Sequence, residues 1–449
     1  MREDLVPSTD RIYGWIAELF DRGVRRPGSD VDAWAEGWAR DLFVSLGLSD
    51  VRFEDVPLLA WEPRSWSLHV DGESFECFPL PYCEPGVVEA ELADLEDSSG
   101  RIAVEHLTFN RLPMTLESRL ASRVVDPDGE FETLTHTVPF GPRIQAVLEP
   151  AMDAGAVGFV GMLSGVPWET CEYYVPYDAV ARPIPGVWVS ASTAARIEAL
   201  RSERPVTARI EIDAVREQRV THNVIGTLQG ASDEWVIVGC HHDGPWASAV
   251  EDAGGVGLVL AQAAYWASVP EADRPHNMLF LLTSGHMAGG AGTRAFCEAH
   301  REFLDSVVLE VHLEHPAVEC DYVDGSLVPT DRPDIRWWFT SRNPSLEDTV
   351  ESALRAEGLS RSVIMPPDAF FEHPPTDGGF FHLYGVPLVS YLVAVSYLFD
   401  AQDTLDKIHR PSLPSVTRAA ISILESTAGV TAASMRAGVQ ASQTRQDAR

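Results

Sequence analysis

Histidine and carboxylate side chains cluster next to four short apolar runs of this sequence. Three of the runs, 235–240, 278–282 and 307–311, are followed by such residues, and the fourth, 386–392, is preceded by them. Imidazole nitrogens and carboxylate oxygens are the donors that zinc, manganese and ferrous ions take in proteins. The pattern therefore predicts metal-ion chemistry. In chain order the candidates are His241, His242, Asp243, Glu251, Asp252, His286, Glu314, His373 and Asp377.

The apolar runs themselves indicate the element that must position these side chains. They lack the polar alternation of a half-exposed strand, so they are typical of strands covered by helices on both faces. Helical patterns lie between them, for example at 256–267 and 292–304. We therefore expect an α/β fold with a mixed, mostly parallel sheet, whose loops at the carboxyl ends of the strands hold the reactive groups.

The rest of the chain divides into segments with different residue patterns. Residues 1–50 read as two amphipathic helices of the catalytic domain, separated by Pro27-Gly28. Residues 51–216 contain short β-like runs between Pro- and Gly-rich turns, which indicates an inserted β-rich module. Residues 217–431 carry the α/β pattern, and 432–449 are polar and rich in small residues, which predicts a flexible tail.

Composition excludes several classes of function. The 449 residues include 34 Lys+Arg and 67 Asp+Glu, a formal net charge of −33, so nucleic acid is not an expected partner. Lys407 is the only lysine, so a phosphate-binding GxxxxGK[ST] loop is absent and Schiff-base chemistry has one candidate at most.

The cysteines, the start of the chain and the apolar runs indicate which structural sites and which compartment to expect. The six cysteines form no CxxC pair, which argues against a zinc ribbon or a disulfide framework. The start of the chain lacks the pattern of a signal peptide, and the longest nearly apolar run, 386–399, is too short for a bilayer. We expect a cytoplasmic protein without a membrane partner, and the oligomeric state, a homo-oligomer included, stays open.

The order of these motifs resembles the co-catalytic zinc aminopeptidase family, which includes carboxypeptidase Q. Residues 249–255 are similar to its A-x-D-N/D-x-S/G-G segment, 284–293 to its E-E-x-G-x-x-G-S segment and 312–314 to its N-L-D segment. The module that ends at 184–187 is similar to the protease-associated insert of that family. Further similar stretches are 223–230, 241–243, 376–387 and 403–408.

The resemblance implies two metal sites, of which this sequence keeps one. The ligands of the first site fall on His241, Glu251 and Glu314, with Asp252 as the neighbouring alternative to Glu251. The ligands of the second fall on Met287 and on Phe399 or Leu398. A thioether and an apolar side chain do not replace carboxylate and imidazole, so we expect one divalent ion per chain: zinc first, manganese or ferrous iron as alternatives.

The resemblance and the residue types assign roles around that ion to the remaining candidates. The general base of the family falls on His286, which could accept a proton or serve as a further ligand. Asp243 is expected to assist catalysis by orienting His241. His242, His373 and Asp377 are candidates for contacting substrate.

These assignments predict a metal-dependent hydrolase that acts on an amide or related bond of a small metabolite or short peptide, rather than an ordinary aminopeptidase. The alternatives are a lyase, aldolase or isomerase that uses the same metal-bound carbonyl, a ferrous redox enzyme, or an inactive scaffold that has lost its metals.

Overall fold

The computed structural model describes residues 1–139 and 145–447. Its strands are β1 (Ser49–Val70), β2 (Glu73–Phe75), β3 (Phe78–Pro79), β4 (Gly86–Asp94), β5 (Ile102–His106), β6 (Asn110–Pro113), β7 (Arg123–Val125), β8 (Thr135–Val138), β9 (Gly158–Met162), β10 (Gly186–Val189), β11 (Thr207–Leu228), β12 (Trp235–His241), β13 (Asn277–Thr283), β14 (Val307–Leu313), β15 (Val318–Val323), β16 (Ser326–Pro333), β17 (Arg336–Thr340), β18 (Ser362–Met365) and β19 (Leu388–Val393). Its helices are α1 (Thr9–Asp21), α2 (Asp30–Leu46), α3 (Met114–Leu120), α4 (Glu149–Asp153), α5 (Ala191–Glu203), α6 (Gly255–Ser268), α7 (Ala291–Ala299), α8 (Arg301–Leu304), α9 (Pro344–Ala356), α10 (Gly378–Leu383), α11 (Ser412–Glu425) and α12 (Ala432–Asp447).

The two predicted N-terminal helices are confirmed, and both begin at a capping serine. The side chain of Ser8 accepts a hydrogen bond from the backbone N–H of Arg11, and that of Ser29 from Asp32. These bonds satisfy N–H groups that have no partner inside the helix. Gly47 ends α2 at φ 87°, a left-handed conformation that glycine adopts without strain.

A mixed sheet forms the centre of the molecule. Its catalytic part runs in the order β11-β13-β12-β14-β19-β17-β18-β7. The neighbours β13, β12, β14 and β19 are parallel to one another, and so are β17 and β18. Antiparallel pairs are β11 with β13, β17 with β19, and β7 with β18. Because parallel neighbours end at the same edge, the loops after β12, β13 and β14 lie together.

Helices cover both faces of this sheet, which gives two apolar layers. The buried residues of α1, α2, α6 and α11 belong to one apolar layer, and those of α7 and α10 to the other. The alternation of side chains along β12 feeds both layers, since Val236 and Val238 belong to the first and Ile237 to the second. The predicted α/β class with helices on both faces is confirmed.

The inserted segment is tied to this sheet by two long strands. β1 and β11 each have 22 residues and pair antiparallel from Ser49↔Thr227 to Val70↔Ala208. At their far end β11 also pairs with β4, which begins the smaller sheet β4-β5-β9-β10-β3. The bounds 51 and 216 fall inside β1 and β11, so the division of the chain into domains stays a proposal.

One short part of the insert returns to the catalytic sheet. β7 pairs antiparallel with β18 and thereby forms the last strand of the sheet order. The guanidinium of Arg123, in β7, bonds the carboxylate of Asp348 in α9.

The C-terminal segment differs from the prediction. Residues 432–447 form α12 instead of a flexible tail. Ala432 and Met435 are buried, and the guanidinium of Arg436 donates to the carbonyls of Leu304 and Asp305. The sequence does not indicate this helix, because it contains few apolar residues.

Among the described residues, every helix is too short or too polar to cross a membrane.

Candidate metal centre

Four loops bring imidazoles and carboxylates together at the carboxyl edge of the sheet. His241 is the last residue of β12, and Glu314 follows the last residue of β14 directly. His286 lies in the turn after β13, and Glu251 lies in a helical turn, Ala249–Gly254, that leads into α6. The structure places these four predicted residues in one cluster, with His315 as a fifth member.

The carboxylate of Glu251 is the centre of this cluster. Its Oε1 lies 3.4 Å from Nε2 of His241 and 3.6 Å from Nε2 of His286. Its Oε2 lies 2.6 Å from Nε2 of His315, which is also 3.6 Å from Oε2 of Glu314. The side chains of His241, Glu251 and Glu314 are fully buried, that of His315 is 3% exposed and that of His286 is 10% exposed.

Several donor atoms in the cluster are buried without a hydrogen bond from the described residues. They are Nε2 of His241, both carboxylate oxygens of Glu251, Oε2 of Glu314 and both ring nitrogens of His315. His315 and Glu251 are close, but they do not align as a hydrogen bond. Buried polar atoms without partners are costly, so their convergence suits a cation that would bond to them all.

Two overlapping sets of three have donor atoms within 4.8 Å of one another: His241 with Glu314 and His315, and His241 with Glu251 and His286. His241 is common to both. The rings of His241 and His286 are stacked, with centroids 4.1 Å apart.

The ionisable groups of the cluster lie close together and shift one another's pKa values. Burial raises the pKa of Glu251, but the facing imidazoles of His315 and His241 outweigh it and hold that pKa below its ordinary value. The pKa of Asp252 lies well above its ordinary value, through burial first and then through the charges of Glu314 and Glu251.

Asp377 holds His286 in one orientation. Its Oδ1 lies 2.7 Å from Nδ1 of His286, and its Oδ2 accepts hydrogen bonds from the hydroxyls of Thr283 and Thr293, each at 2.7 Å. Burial lowers the pKa of His286, but the carboxylate of Asp377 raises it to about 10. With Nδ1 bonded to Asp377, Nε2 is the ring atom that faces Glu251.

Asp243 fixes two parts of the cluster at once. Its backbone carbonyl lies 2.9 Å from Nδ1 of His241, and its carboxylate oxygens accept from the backbone N–H groups of His286 and Met287 at 3.1 and 2.9 Å. The sequence predicts a carboxylate that orients His241. In the structure the carbonyl lies against the ring, and the carboxylate shapes the next loop.

Four predicted residues lie differently from the prediction. Oδ1 of Asp252 accepts the backbone N–H groups of Gly255 and His315, and Asp252 belongs to neither set of converging donors. His242 is buried and its Nδ1 lies 3.1 Å from Oδ1 of Asp32, because consecutive residues at a strand end point to opposite faces.

The two candidates before α10 both have partners within the protein. Asp377 is fully buried and bonded to three side chains, so it has no group left for substrate. His373 bonds the carbonyl of Pro374 and packs against the ring of Phe380. The sequence shows the polar character of these residues but not the face of the sheet on which they lie.

Two contributors were not predicted. His315 enters the cluster because its backbone is left-handed, at φ 55°, which turns it back beside Glu314. The carboxylate of Asp403 accepts the backbone N–H groups of Val250 and Glu251 at 2.8 and 2.9 Å, and it thereby fixes the turn that presents Glu251. The signals in the sequence were the adjacency of His315 to Glu314 and the place of Asp403 in the similar stretch 403–408.

The positions that the resemblance gives to a second metal are apolar. Met287 and Phe399 are buried. The ring of Phe399 lies 4.8 Å from that of Tyr177, which in turn stacks on His286 at 5.6 Å. The described side chains at these positions thus form an apolar wall beside His286.

With the geometry in place, the comparison with known proteins can be given. The model of peptidase family M28 matches residues 223–424, the stretch that carries every member of the cluster. This stretch of the chain is therefore similar to peptidase family M28. The predicted resemblance to the co-catalytic zinc aminopeptidases is thereby confirmed, and with it the class of metal-dependent hydrolase of the aminopeptidase type.

Solved structures share the fold of this protein over nearly its whole length. An aminopeptidase from Aneurinibacillus sp. strain AM-1 is 17% identical, with a TM-score of 0.65 and coverage of 94% of each chain. A peptidase M28 precursor from Shewanella amazonensis SB2B is 19% identical, with a TM-score of 0.71 and 93% of each chain covered. BSAP, a zinc aminopeptidase from Bacillus subtilis, is 14% identical, with a TM-score of 0.67 over 94% of this chain and 96% of its own. No curated protein matches the chain significantly.

Proposed function

We propose that this protein is a hydrolase with one divalent cation per chain, zinc first, that cleaves an amide or related bond of a small metabolite or short peptide. The observation that carries the proposal is the set of buried donor atoms without partners on His241, Glu251, Glu314 and His315. Two imidazoles and two carboxylates are a suitable set for zinc, which takes nitrogen and oxygen ligands in four- or five-coordinate sites.

A single ion follows from the side chains beside that set. A second ion of the family type would need donors at the positions of Met287 and Phe399, where a thioether and a phenyl ring lie. Neither side chain suits a hard or borderline cation. The two sets of converging donors share His241, so we assign one ion to them.

When bound, such an ion polarises a carbonyl group and lowers the pKa of bound water. The protein's own groups supply the proton transfer. His286 is the most exposed member of the cluster, and its Nε2 faces inward while Nδ1 is held by Asp377. We assign to it the transfer of a proton at Nε2, with Asp377 keeping the ring in the required tautomer. Tyr177 and Phe399 exclude water from the side of this ring.

The substrate class follows from the missing acid. In the resemblance, Met287 replaces the carboxylate of the second site, so the arrangement that serves an ordinary aminopeptidase is incomplete. We therefore assign a small amide-containing or carboxylated metabolite, or a short peptide, ahead of general N-terminal amino acid removal.

Elemental analysis of the purified protein tests the single ion. We expect one ion per chain in the unaltered protein and none in His241→Ala. His276→Ala is the matched control, because His276 is buried and bonded to Ser232 and the carbonyl of Thr427, outside the cluster. Two ions per chain, or one ion retained in His241→Ala, would refute the proposed site.

Activity is then screened with small amides and short peptides. Turnover that needs the ion and is lost in His241→Ala supports a hydrolase. A stoichiometric ion without hydrolysis of any amide in the screen would count against the proposed reaction, while the metal site would stand.

A further inference from the structure

Three alternate residues along β14 place charged groups on one face of the central sheet. Glu310 and His312 lie inside the strand, and Glu314 follows its last residue. All three are buried, with exposures of 0%, 1% and 0%. The period of two in a strand puts them on the same face. Buried charged groups at the centre of a sheet are costly unless they pair, so their presence needs a reason.

The imidazole of His312 joins the two carboxylates. Its Nδ1 lies 2.8 Å from Oε1 of Glu310, and its Nε2 lies 2.8 Å from Oε1 of Glu314. An imidazole bonds a carboxylate at each nitrogen only if both nitrogens carry protons, or if one carboxyl group is protonated. In either case the three groups together carry one negative charge.

The ring is held in place by its surroundings. A Cβ at Gly378, where α10 begins, would lie 2.8 Å from Cβ and 2.9 Å from Cγ of His312. Glycine at this position allows α10 to approach the ring closely. Gly239 on the neighbouring strand is the register partner of His312. The ring therefore has little room to move away from the two carboxylates.

In this arrangement the two carboxylate oxygens of Glu314 have different surroundings. Oε1 is bonded to His312, whereas Oε2 has no hydrogen bond and faces Nε2 of His315 at 3.6 Å. One oxygen is thus committed to the strand and the other is left for the cluster.

We propose that His312 is a positioning residue that limits Glu314 to a single cation-facing oxygen, and that Glu310 holds His312 in that position. The proposal rests on the proposed single-ion site and deepens it. Hydrogen-bonded partners of metal ligands fix their orientation, and removal of such a partner typically weakens metal binding by about 10–100-fold.

The test is the affinity of the protein for Zn²⁺, measured by competition with a chelator. In His312→Leu we expect affinity to fall by about 10–100-fold. In His312→Gln, which keeps one donor, we expect a smaller fall, and in Glu310→Gln, which keeps an acceptor for Nδ1, the smallest. His276→Leu is the control for loss of a buried histidine elsewhere, and we expect its affinity to stay within twofold of the unaltered protein.

A second readout is the visible spectrum of the Co²⁺-loaded protein. In His312→Leu no group bonds Oε1 of Glu314, which is then free to bind through both oxygens, so we expect the spectrum of this variant to differ from that of the unaltered protein and of His276→Leu. We expect a smaller difference in His312→Gln. This variant also carries the test if His312→Leu does not fold.

The outcomes separate the two proposals. Unchanged Zn²⁺ affinity and an unchanged Co²⁺ spectrum in His312→Gln and His312→Leu, with binding lost in His241→Ala, would overturn the role of His312 alone. An equal loss in His276→Leu would also overturn it. An unaltered protein that binds no ion would overturn the proposed function and this role with it.

Discussion

His286 combines two features that no other member of the cluster has. It keeps 10% of its side chain exposed, and its Nδ1 is bonded to a carboxylate that two threonine hydroxyls also bond. The other donors are more deeply buried. This difference supports the proposal that His286 transfers a proton while the other donors hold the ion.

Substitution of His286 tests that separation. In His286→Gln we expect kcat to fall by about 10²–10⁴-fold, since a positioned acid–base group contributes that much. The content of bound metal should remain at one ion per chain. Steady-state kinetics and elemental analysis on the same sample check both parts, and loss of the ion in this variant would show that His286 is a ligand.

Asp377→Asn acts on the same ring through its Nδ1. The carboxylate raises the pKa of His286, so its removal should lower that pKa and shift the pH dependence of kcat toward acid. A pH profile that is unchanged apart from its height would contradict the positioning role of Asp377.

At the scale of the elements, the site depends on close packing of α6 against α1. The turn that holds Glu251 runs directly into α6, and Gly257 in α6 lies against Ile16 of α1. A Cβ at Gly257 would lie 2.6 Å from Cγ1 of Ile16. The helix that carries the Glu251 loop is therefore placed by a contact that only a glycine allows.

Gly257→Ala should thus lower the free energy of unfolding by about 1–3 kcal/mol, the usual cost of overpacking a core. Gly14→Ala is the matched control, because Gly14 lies within α1 and a Cβ there would meet nothing within 4 Å. We expect that change to stabilise by about 0.5–1 kcal/mol through helix propensity. Denaturant unfolding of both variants is the measurement, and equal effects would refute the contact.

At the scale of the whole molecule, the proposed site predicts that bound metal stabilises the folded protein. A ligand that binds only the folded state stabilises it by about 2.7 kcal/mol at a hundredfold excess over Kd. We expect Zn²⁺ to raise the melting temperature of the unaltered protein, a chelator to reverse the rise, and His241→Ala to show neither effect. Calorimetry with and without chelator decides this.

A second property of the whole molecule is its response to acid. His409 lies beside Ser412 and Arg336, and burial together with the charge of Arg336 lowers its pKa to about 4. An unfolded histidine titrates near pH 6.5, so between these values the unfolded chain takes up a proton that the folded chain does not. Stability is therefore fully present above about pH 6.5 and is lost as pH falls toward 4.

We expect His409 to contribute about 2 kcal/mol of that loss, after a reduction for solvent screening. His409→Asn removes the titrating group and leaves a polar atom near Ser412. The difference between its unfolding free energies at pH 7 and pH 5 should be smaller than that of the unaltered protein. An identical difference would contradict the assignment.

The sequence by itself determined the α/β class, the order of the strands that end in histidine or acid, and the two N-terminal helices. It could do so because strand burial, helix periodicity and capping are local patterns that a single chain displays. It also placed His241, Glu251, His286 and Glu314 at strand ends or in the loops that follow strands, and parallel neighbours bring such loops together.

Only the tertiary structure decided which face each residue takes. The left-handed backbone of His315 turned it into the cluster, the strand alternation turned His242 away from it, and the threonine hydroxyls of a neighbouring strand and helix enclosed Asp377. These outcomes depend on contacts between residues far apart in the chain, and the same contacts hold α12 against the body of the molecule.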